Sequence, residues 1–229
     1  MIGAARVLVM DDEAQIRRFL GHALSAAGYV PLLAADGEAG LRILAAGGVD
    51  LAIVDLGLPG IDGLTAIGQI RQTSNVPIIV LSAAGAEARR IEALDMGADD
   101  FVAKPFGIGE LLARMRVCLR KRPGGGPVAG KLVCGGLALD PAAHTATRDG
   151  EPLRLTPKEF DLLALFMAHA GRVLTHRQVL ERVWGKAHVE DVAYLRVFVG
   201  QLRAKIETLP AEPRLIVTVP GVGYRFDAE

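Results

Sequence analysis

Acidic residues follow two aliphatic runs near the N-terminus. The run "VLVM" leads directly into Asp11, Asp12 and Glu13, and the run "LAIV" leads into Asp55. Neighbouring carboxylates raise one another's pKa, and their repulsion costs stability unless a cation lies among them. Mg²⁺ prefers oxygen ligands and commonly takes one or two carboxylates together with phosphate oxygens. The pattern therefore indicates a magnesium site beside a site of phosphoryl transfer.

Two further polar residues follow later aliphatic runs, Ser82 after "IIVL" and Lys104 after "FVA". A carboxylate such as Asp55 can act as the nucleophile and form an acyl phosphate. A magnesium ion and Lys104 would neutralise charge on the transferring group, while Ser82 would donate to a phosphoryl oxygen. Taken singly, each residue has an ordinary interpretation as a solvated loop residue or a helix cap, to which we assign Glu13. Several of them at the strand ends of one sheet favour a shared site.

The elements that must position these residues alternate along the first half of the chain. Five short aliphatic runs alternate with five segments whose apolar residues recur every three or four positions, as Ile16, Phe19, Leu20, Ala23 and Leu24 do. That period is helical, and short aliphatic runs are typical of buried strands. The alternation predicts an α/β fold with a five-stranded, doubly wound parallel sheet. In such sheets ligands bind beyond the carboxyl ends of the strands.

The pattern changes at "KRPGGGPVAGK", where consecutive glycines stand between two prolines. This composition is typical of a flexible linker between domains. The sequence therefore predicts a first domain over residues 1–121, a linker over 122–130 and a second domain over 131–229.

The second half begins with short strand patterns and a hairpin turn signal at Asp149-Gly150. Capping boxes at "TPKE" and "THRQ" then predict two helix starts. A longer helix follows over about 191–207, with Leu195, Val199, Leu202 and Ile206 on one stripe. The chain closes with two strand patterns around Pro220-Gly221, which predict a β-hairpin wing.

Composition narrows the functional classes. The 229 residues carry 26 basic and 26 acidic side chains, so bulk charge indicates no nucleic-acid partner. No apolar run is long enough to cross a bilayer and no signal peptide is apparent, so we expect no membrane partner. Cys118 and Cys134 form no CxxC motif, which favours a reducing cytoplasm. Between Arg172 and Lys205, however, seven basic residues face three acidic ones, a local excess that favours DNA phosphates.

These motifs resemble a known family. The strings "MDDE", "VDLGLPGIDG", "VLSA" and "DDFVAKPFGIGELLARMR" resemble the receiver domain of bacterial response regulators. The strings "LTPKEFDLLALF", "GRVLTHRQVLERVWG", "LRVFVGQLRAKIE" and "VTVPGVGYRF" resemble the winged-helix DNA-binding effector of the OmpR/PhoB group. The resemblance implies a two-component transcription regulator, not an enzyme, whose partners are a sensor histidine kinase, promoter DNA and RNA polymerase. "IRRFL", "DLGLPG" and "KPFGIGEL" further resemble potassium-responsive members of that group, which implies a potassium-transport operon.

The resemblance assigns roles to the receiver residues. Asp55 becomes the phosphoacceptor, and Lys104 becomes the amine that pairs with phosphate, next to a cis bond to Pro105. Ser82 becomes the switch hydroxyl, which moves towards the phosphate. Phe101 occupies the aromatic switch position, where the group usually has tyrosine, and would turn inward. The magnesium ligands it implies are Asp11, Asp12, Asp55 and the backbone carbonyl of Gly57.

The resemblance also implies a homodimer after phosphorylation, formed by the fourth helix, fifth strand and fifth helix. Mixed charges on one face suit a two-fold interface, although a solvated and internally paired surface fits the same residues. Arg90 would meet Glu110 across the dimer, and Asp100 would meet Arg114. The implied interface residues are Arg90, Asp99, Asp100, Glu110 and Arg114.

For the second half, the resemblance places the 191–207 helix in the major groove and the wing along the minor groove. Gly200 and Gln201 stand where some relatives carry base-reading arginines, and Gln201 could recognise adenine. Pro220 stands where some relatives carry a wing arginine. The implied DNA-binding residues are Arg196, Gln201, Arg203, Lys205 and Arg225.

Two other classes compete with this interpretation. A phosphatase of the haloacid dehalogenase type has a second acid two residues after its nucleophile, and Gly57 occupies that position here. A receiver used only for dimerisation would need no phosphorylation site. The complete set of Asp11, Asp12, Asp55, Ser82 and Lys104 argues against it.

Overall fold

A computed structural model describes residues 4–83, 85–119 and 130–227. The chain divides into two compact units, with the boundary between residues 120 and 121. Apart from Gly130, the predicted linker over 122–130 lies outside the described residues. The predicted bounds of the two domains and of the linker therefore stay a prediction.

The first unit contains a five-stranded sheet in the order β2-β1-β3-β4-β5, which confirms the predicted doubly wound fold. All four neighbouring strand pairs are parallel, since a helix returns the chain to the same edge after each strand. The strands are β1 (Arg6–Met10), β2 (Val30–Ala34), β3 (Leu51–Asp55), β4 (Ile78–Ala83) and β5 (Asp100–Lys104). The helices are α1 (Ala14–Ala26), α2 (Gly37–Ala45), α3 (Gly63–Thr73), α4 (Glu87–Asp95) and α5 (Ile108–Leu119).

The core of this unit forms where alternate strand residues meet α1 and α5. Val9, Ile53 and Leu81 from the central strands pack in one cluster with Leu20 of α1 and Leu111 of α5. Burial on both faces explains the continuous aliphatic runs of the central strands. One member of the predicted α1 stripe departs from the pattern, because the Phe19 side chain is 49% exposed.

The second unit contains two antiparallel sheets and three α-helices among its described residues. A four-stranded sheet has the order β6-β7-β8-β9, and a three-stranded sheet has the order β10-β12-β11. The strands are β6 (Leu132–Cys134), β7 (Leu137–Asp140), β8 (Thr145–Arg148), β9 (Glu151–Pro152), β10 (Val173–Thr175), β11 (Ile216–Val219) and β12 (Gly223–Phe226). The helices are α6 (Pro157–Ala168), α7 (His176–Val183) and α8 (Val192–Ile206), with a short 3₁₀ turn at Lys186–His188.

Local sequence signals in this unit are confirmed. Asp149 and Gly150 both adopt positive φ, 51° and 87°, as a tight β-hairpin turn requires. Thr156 and Thr175 each begin a helix with a complete capping box. The predicted stripe on α8 is buried at all four positions, and β11 and β12 form the wing hairpin around Pro220-Gly221.

In the part of the chain that the structure describes, no helix has the length and apolar character needed to span a membrane.

Candidate functional site

Three carboxylates meet at the carboxyl edge of the parallel sheet. Strands β1 and β3 are neighbours, so Asp11, directly after β1, lies beside Asp55 at the end of β3. Asp11, Asp12 and Asp55 each offer an oxygen atom, and these oxygens lie within 4.8 Å of one another. Asp11 and Asp55 are buried, whereas Asp12 is exposed. The sequence-based expectation that strand ends gather these acids is confirmed.

Lys104, at the end of β5, places its ammonium group against this cluster. Its Nζ lies 3.0 Å from Asp11 Oδ2 and 3.2 Å from Asp55 Oδ1. The peptide bond that joins Lys104 to Pro105 is cis, as the resemblance implied. We expected Glu13 to be an ordinary loop or helix-cap residue outside the site, but its Oε1 lies 3.4 Å from Lys104 Nζ. Its place in the run of three acids was the signal that sequence reasoning discounted.

The environment shifts the pKa of both central groups upwards. Burial is the main cause that raises the pKa of the Asp55 carboxyl, and the charges of Asp11 and Asp12 add to it, while Lys104 opposes them. Burial alone would lower the pKa of Lys104, but its hydrogen bond to Asp11 and the charge of Asp55 raise the pKa above its usual value. Lys104 is therefore held protonated, and the acid cluster favours additional positive charge.

Ser82 supplies a hydroxyl group that lacks a hydrogen-bond partner. It lies in β4 opposite Ala103 of β5, and its side chain is buried. Among the described residues, Ser82 Oγ has no donor or acceptor within hydrogen-bonding distance. An unpaired buried hydroxyl costs about 1–3 kcal/mol, so its presence indicates an acceptor that arrives from outside the chain.

The surroundings of Asp55 leave room for such a group. A side chain at Gly57 would place its Cβ 3.3 Å from Asp55 Oδ2, so glycine keeps this side of the carboxylate open. The second acid of a haloacid dehalogenase-type phosphatase would have to occupy that position. The ligand atoms that the structure brings together are all carboxylate oxygens, from Asp11, Asp12 and Asp55, and such a set fits Mg²⁺. The Gly57 carbonyl stays a ligand implied by the resemblance.

Gly63 was not singled out from the sequence. A Cβ atom there would lie 2.2 Å from the Asp55 carbonyl oxygen, closer than any real Cβ can approach. Asp62 caps α3 by accepting a hydrogen bond from Thr65 N at 2.8 Å. Glycine after a capping acid therefore lets α3 begin directly against the end of β3. A glycine that follows a helix-capping acid was the one sequence signal that could have identified Gly63.

Phe101, the proposed switch ring on β5, contacts two arginines. The Arg90 guanidinium carbon lies 4.6 Å from the ring centroid and that of Arg114 lies 5.9 Å from it. Arg114 also donates to Glu110 at 2.8 Å and to Asp100 at 3.2 Å within the same chain. Three of the charged residues that the resemblance places across a dimer, Asp100, Glu110 and Arg114, are therefore paired with one another within the single chain.

Asp99, also expected at that interface, has a different position. It is fully buried, and its Oδ2 accepts hydrogen bonds from Arg71 Nη2 and from the backbone N–H of Ile78, each at 2.8 Å. Arg71 further donates to the carbonyls of Gly97 and Val76. Asp99 thus joins α3, β4 and β5 inside the receiver unit.

In the second unit, α8 has one exposed face. Arg196 and Gly200 lie on that face, and a Cβ at Gly200 would meet no atom within 4 Å. Gln201 lies at its margin and is partly buried. On the opposite side, the side chains of Trp184 and Phe198 are only 3% and 1% exposed and pack inside the unit.

The other basic residues proposed for DNA contact have partners within the unit. Lys205 Nζ pairs with the buried carboxylate of Glu159. Arg225 pairs with Asp227 through two bonds, of 2.6 and 2.7 Å. Arg203 donates to the carbonyl oxygen of Ile216 at the wing. Their roles in DNA binding stay predictions, and Arg196 is the exposed arginine on α8.

The folds and sites described above define a class of protein. Residues 7–116 match the family described as response regulator receiver domain, and residues 150–226 match the family described as transcriptional regulatory protein, C terminal. The chain belongs to the response regulators of the OmpR/PhoB type, which are transcription regulators with a receiver domain and a DNA-binding domain.

Within that class, the chain is similar to KdpE proteins along nearly its whole length. It is 47% identical over 220 residues to the KDP operon transcriptional regulatory protein KdpE of Escherichia coli K12, covering 96% of this chain and 98% of that protein. It is 38% identical over 223 residues to KdpE of Mycobacterium tuberculosis, covering 97% and 99% of the two chains. Among solved structures, a RitR mutant superposes with a TM-score of 0.79 at 26% identity, covering 99% of this chain and 100% of that one.

Proposed function

We propose that Asp55 accepts a phosphoryl group from the phosphohistidine of a sensor histidine kinase. An oxygen of the Asp55 carboxylate attacks phosphorus, the bond between phosphorus and the histidine nitrogen breaks, and an acyl phosphate forms. Lys104, held protonated by Asp11 and Asp55, pairs with an oxygen of the transferred group. Asp11, Asp12, Asp55 and the Gly57 carbonyl would hold Mg²⁺, which supplies charge neutralisation when bound.

The observation that carries this proposal is the unpaired hydroxyl of Ser82. Its Oγ is buried beside the carboxylate edge of the sheet and finds no partner in the described residues. A phosphoryl oxygen on Asp55 is an acceptor of the required kind. Phosphorylation would therefore draw Ser82 towards Asp55 and bias the neighbouring Phe101 ring.

Phosphorylation of the full-length chain by acetyl phosphate tests the assignment. We expect one phosphoryl addition by intact-mass spectrometry with Mg²⁺, and none with EDTA or in the Asp55→Asn variant. Addition that persists in Asp55→Asn would place the acceptor elsewhere. No addition to the wild-type chain at all would favour a receiver that serves only for dimerisation.

We further infer that the phosphorylated receiver forms a two-fold homodimer through α4, β5 and α5. Arg114 is bound to Glu110 and Asp100 within one chain, so dimerisation would exchange these bonds for equivalent bonds to a second copy. Arg90 lies on the Phe101 ring, so a shift of that ring would reposition it. Asp99 is left out of this interface because its carboxylate is buried against Arg71.

The second unit would bind promoter DNA with α8 in the major groove and the wing in the minor groove. Arg196 on the exposed face of α8 supports this placement. Similarity to KdpE supports the proposal that the chain regulates a potassium-transport operon. In this proposal it acts in the cytoplasm and with RNA polymerase as a partner. Sequencing of genomic fragments that the phosphorylated chain retains, with Asp55→Asn as control, tests the target. Enrichment of unrelated promoters would contradict it.

A further inference from the structure

One edge strand of the wing, β11, faces side chains from the end of α8. Strand β11 lies at the edge of its sheet and, among residues 130–227, pairs only with β12. Asp227 N donates to Leu215 O across this pair, so alternation directs the backbone N–H and C=O of Ile216 to the opposite side. Polar groups on an open edge need partners from outside the sheet.

Both groups of Ile216 are bonded by side chains from the end of α8. Glu207 Oε1 accepts the Ile216 N–H at 2.9 Å, and Arg203 Nε donates to the Ile216 carbonyl oxygen at 3.0 Å. Arg203 and Glu207 are four residues apart, so they lie one helical turn from each other on one side of the helix end. Together they replace the neighbouring strand that β11 lacks.

Each side chain makes additional bonds to the same segment. Glu207 also accepts from the backbone N–H groups of Arg214 and Leu215 at 3.0 Å, and it is buried. Arg203 Nη2 donates to Ile216 O and, at 2.8 Å, to Thr218 Oγ1. The Arg203 guanidinium carbon lies 5.8 Å from the ring centroid of Tyr224 on β12. Two of the three guanidinium nitrogens are therefore committed to the wing.

We propose that Arg203 and Glu207 form a clamp that fixes the wing relative to α8, and that Arg203 supports DNA binding through the wing instead of by direct phosphate contact. The inference rests on the proposed docking of α8 and the wing on DNA. Both residues are positioning residues in this scheme. The helix and wing must enter adjacent grooves together, so a misplaced wing weakens binding although every basic side chain is retained.

The charge-retaining variant Arg203→Lys separates the two roles, because an ammonium cannot reproduce the forked bonds to Ile216 and Thr218. DNA affinity of the full chain is measured by fluorescence anisotropy on a labelled mixed-sequence duplex over a range of salt concentrations. The clamp predicts roughly fivefold to tenfold weaker binding and a salt slope smaller by about 0.9, as one wing phosphate contact is lost. A direct phosphate contact predicts that lysine preserves the slope.

A charge reporter at the wing tip tests the same point independently. Val222 lies at the tip and is 42% exposed, so Val222→Glu should repel DNA when the wing is docked. The clamp predicts that this loss shrinks in an Arg203→Lys background, a coupling that a direct contact would not produce. Val133→Glu, at a 74% exposed position on β6, is the matched control and should have the same effect in both backgrounds.

For Glu207, simple electrostatics and the clamp predict opposite changes in DNA affinity. Removing an acid near DNA should strengthen binding by simple electrostatics, whereas loosening the clamp should weaken it. We expect Glu207→Gln to bind less tightly and its Ile216 amide to exchange hydrogen faster. Glu190→Gln, at an exposed acid just before α8, should bind as well as or better than wild type.

The results separate the clamp from the docking on which it rests. A preserved salt slope in Arg203→Lys, with additive effects of Val222→Glu, would overturn the clamp while DNA docking stands. Tighter binding by Glu207→Gln would do the same. If Val222→Glu left wild-type affinity unchanged, the wing would not lie on DNA, and both the docking and the clamp would fail.

Discussion

Substituting Asp55 by asparagine should stabilise the metal-free receiver, although it removes the proposed phosphoacceptor. Asp55 is 7% exposed and shares the sheet edge with two other carboxylates. Asparagine keeps the shape of the side chain while it removes a charge that burial and its neighbours disfavour. The same substitution should weaken Mg²⁺ binding, since one of the proposed ligands becomes neutral.

The distances give the size of the effect. At an effective dielectric constant of about 20, unit charges 4.8 Å apart repel by about 3.5 kcal/mol, and an oxygen of each of the two neighbouring carboxylates lies within that distance of Asp55. Lys104 Nζ, 3.2 Å from Asp55 Oδ1, offsets this by about 5 kcal/mol. Repulsion therefore exceeds attraction by about 2 kcal/mol. Exposure of Asp12 to solvent makes this net destabilisation smaller, whereas burial of the Asp55 charge makes it larger. We expect a gain of about 1–2 kcal/mol.

Calorimetry of the full-length chain in EDTA and in excess Mg²⁺ measures both effects. In EDTA the receiver transition of Asp55→Asn should lie roughly 4–8 °C above that of wild type. Mg²⁺ at one hundred times its Kd should stabilise the wild type by about 2.7 kcal/mol and the variant by less, so the difference between the two proteins should shrink or reverse. Glu92→Gln removes one charge at an exposed position of the same unit and should change neither value appreciably.

Two results would refute this reasoning. A variant that unfolds at lower temperature in EDTA would show that Lys104 attraction outweighs repulsion and burial. Equal stabilisation of both proteins by Mg²⁺ would show that the ion binds away from Asp55.

Three further substitutions test other parts of the structure. Ser82→Ala should raise the free energy of unfolding by about 1–3 kcal/mol because it removes an unpaired buried hydroxyl, yet light scattering should show no dimer after phosphorylation. Gly200→Ala should raise the unfolding free energy by up to about 1 kcal/mol, since its Cβ meets open space. Anisotropy should show weaker DNA binding, because the added methyl group lies on the face of α8 proposed to enter the major groove. Lys205→Met should lower the free energy of unfolding by about 2 kcal/mol because the buried Glu159 carboxylate loses its cation, and calorimetry measures the change.

The position of the acidic cluster could be predicted because it depends on backbone topology. Parallel strands end at a common edge, so residues that follow β1, β3, β4 and β5 must meet there whatever their rotamers. The same holds for the capped helices and the wing hairpin, whose signals are local. Asp11, Asp55, Ser82 and Lys104 were therefore found from the sequence alone.

The partners of long charged side chains could not be predicted in this way. Arg203 was expected at DNA and bonds to the wing, and Asp99 was expected at a dimer surface and bonds to Arg71. Their neighbours in space are distant in sequence or depend on which face of an element is covered. Phe19 shows the same limit, because helical spacing alone does not tell which positions of the apolar stripe on α1 the rest of the unit buries.

The distribution of unsatisfied polar groups indicates where the chain is able to switch. In the receiver, Ser82 Oγ and Arg90 Nε are buried without hydrogen-bond partners among the described residues. Phe101 is on the strand next to that of Ser82, and its ring contacts the Arg90 guanidinium. In the second unit, the buried groups of Glu159 and Glu207 are bonded to several donors. A phosphoryl group would thus relieve an existing deficit at Ser82, whereas rearranging the winged helix would break bonds. Control of DNA binding should therefore come from assembly of two receivers, with the winged helix already in its binding conformation.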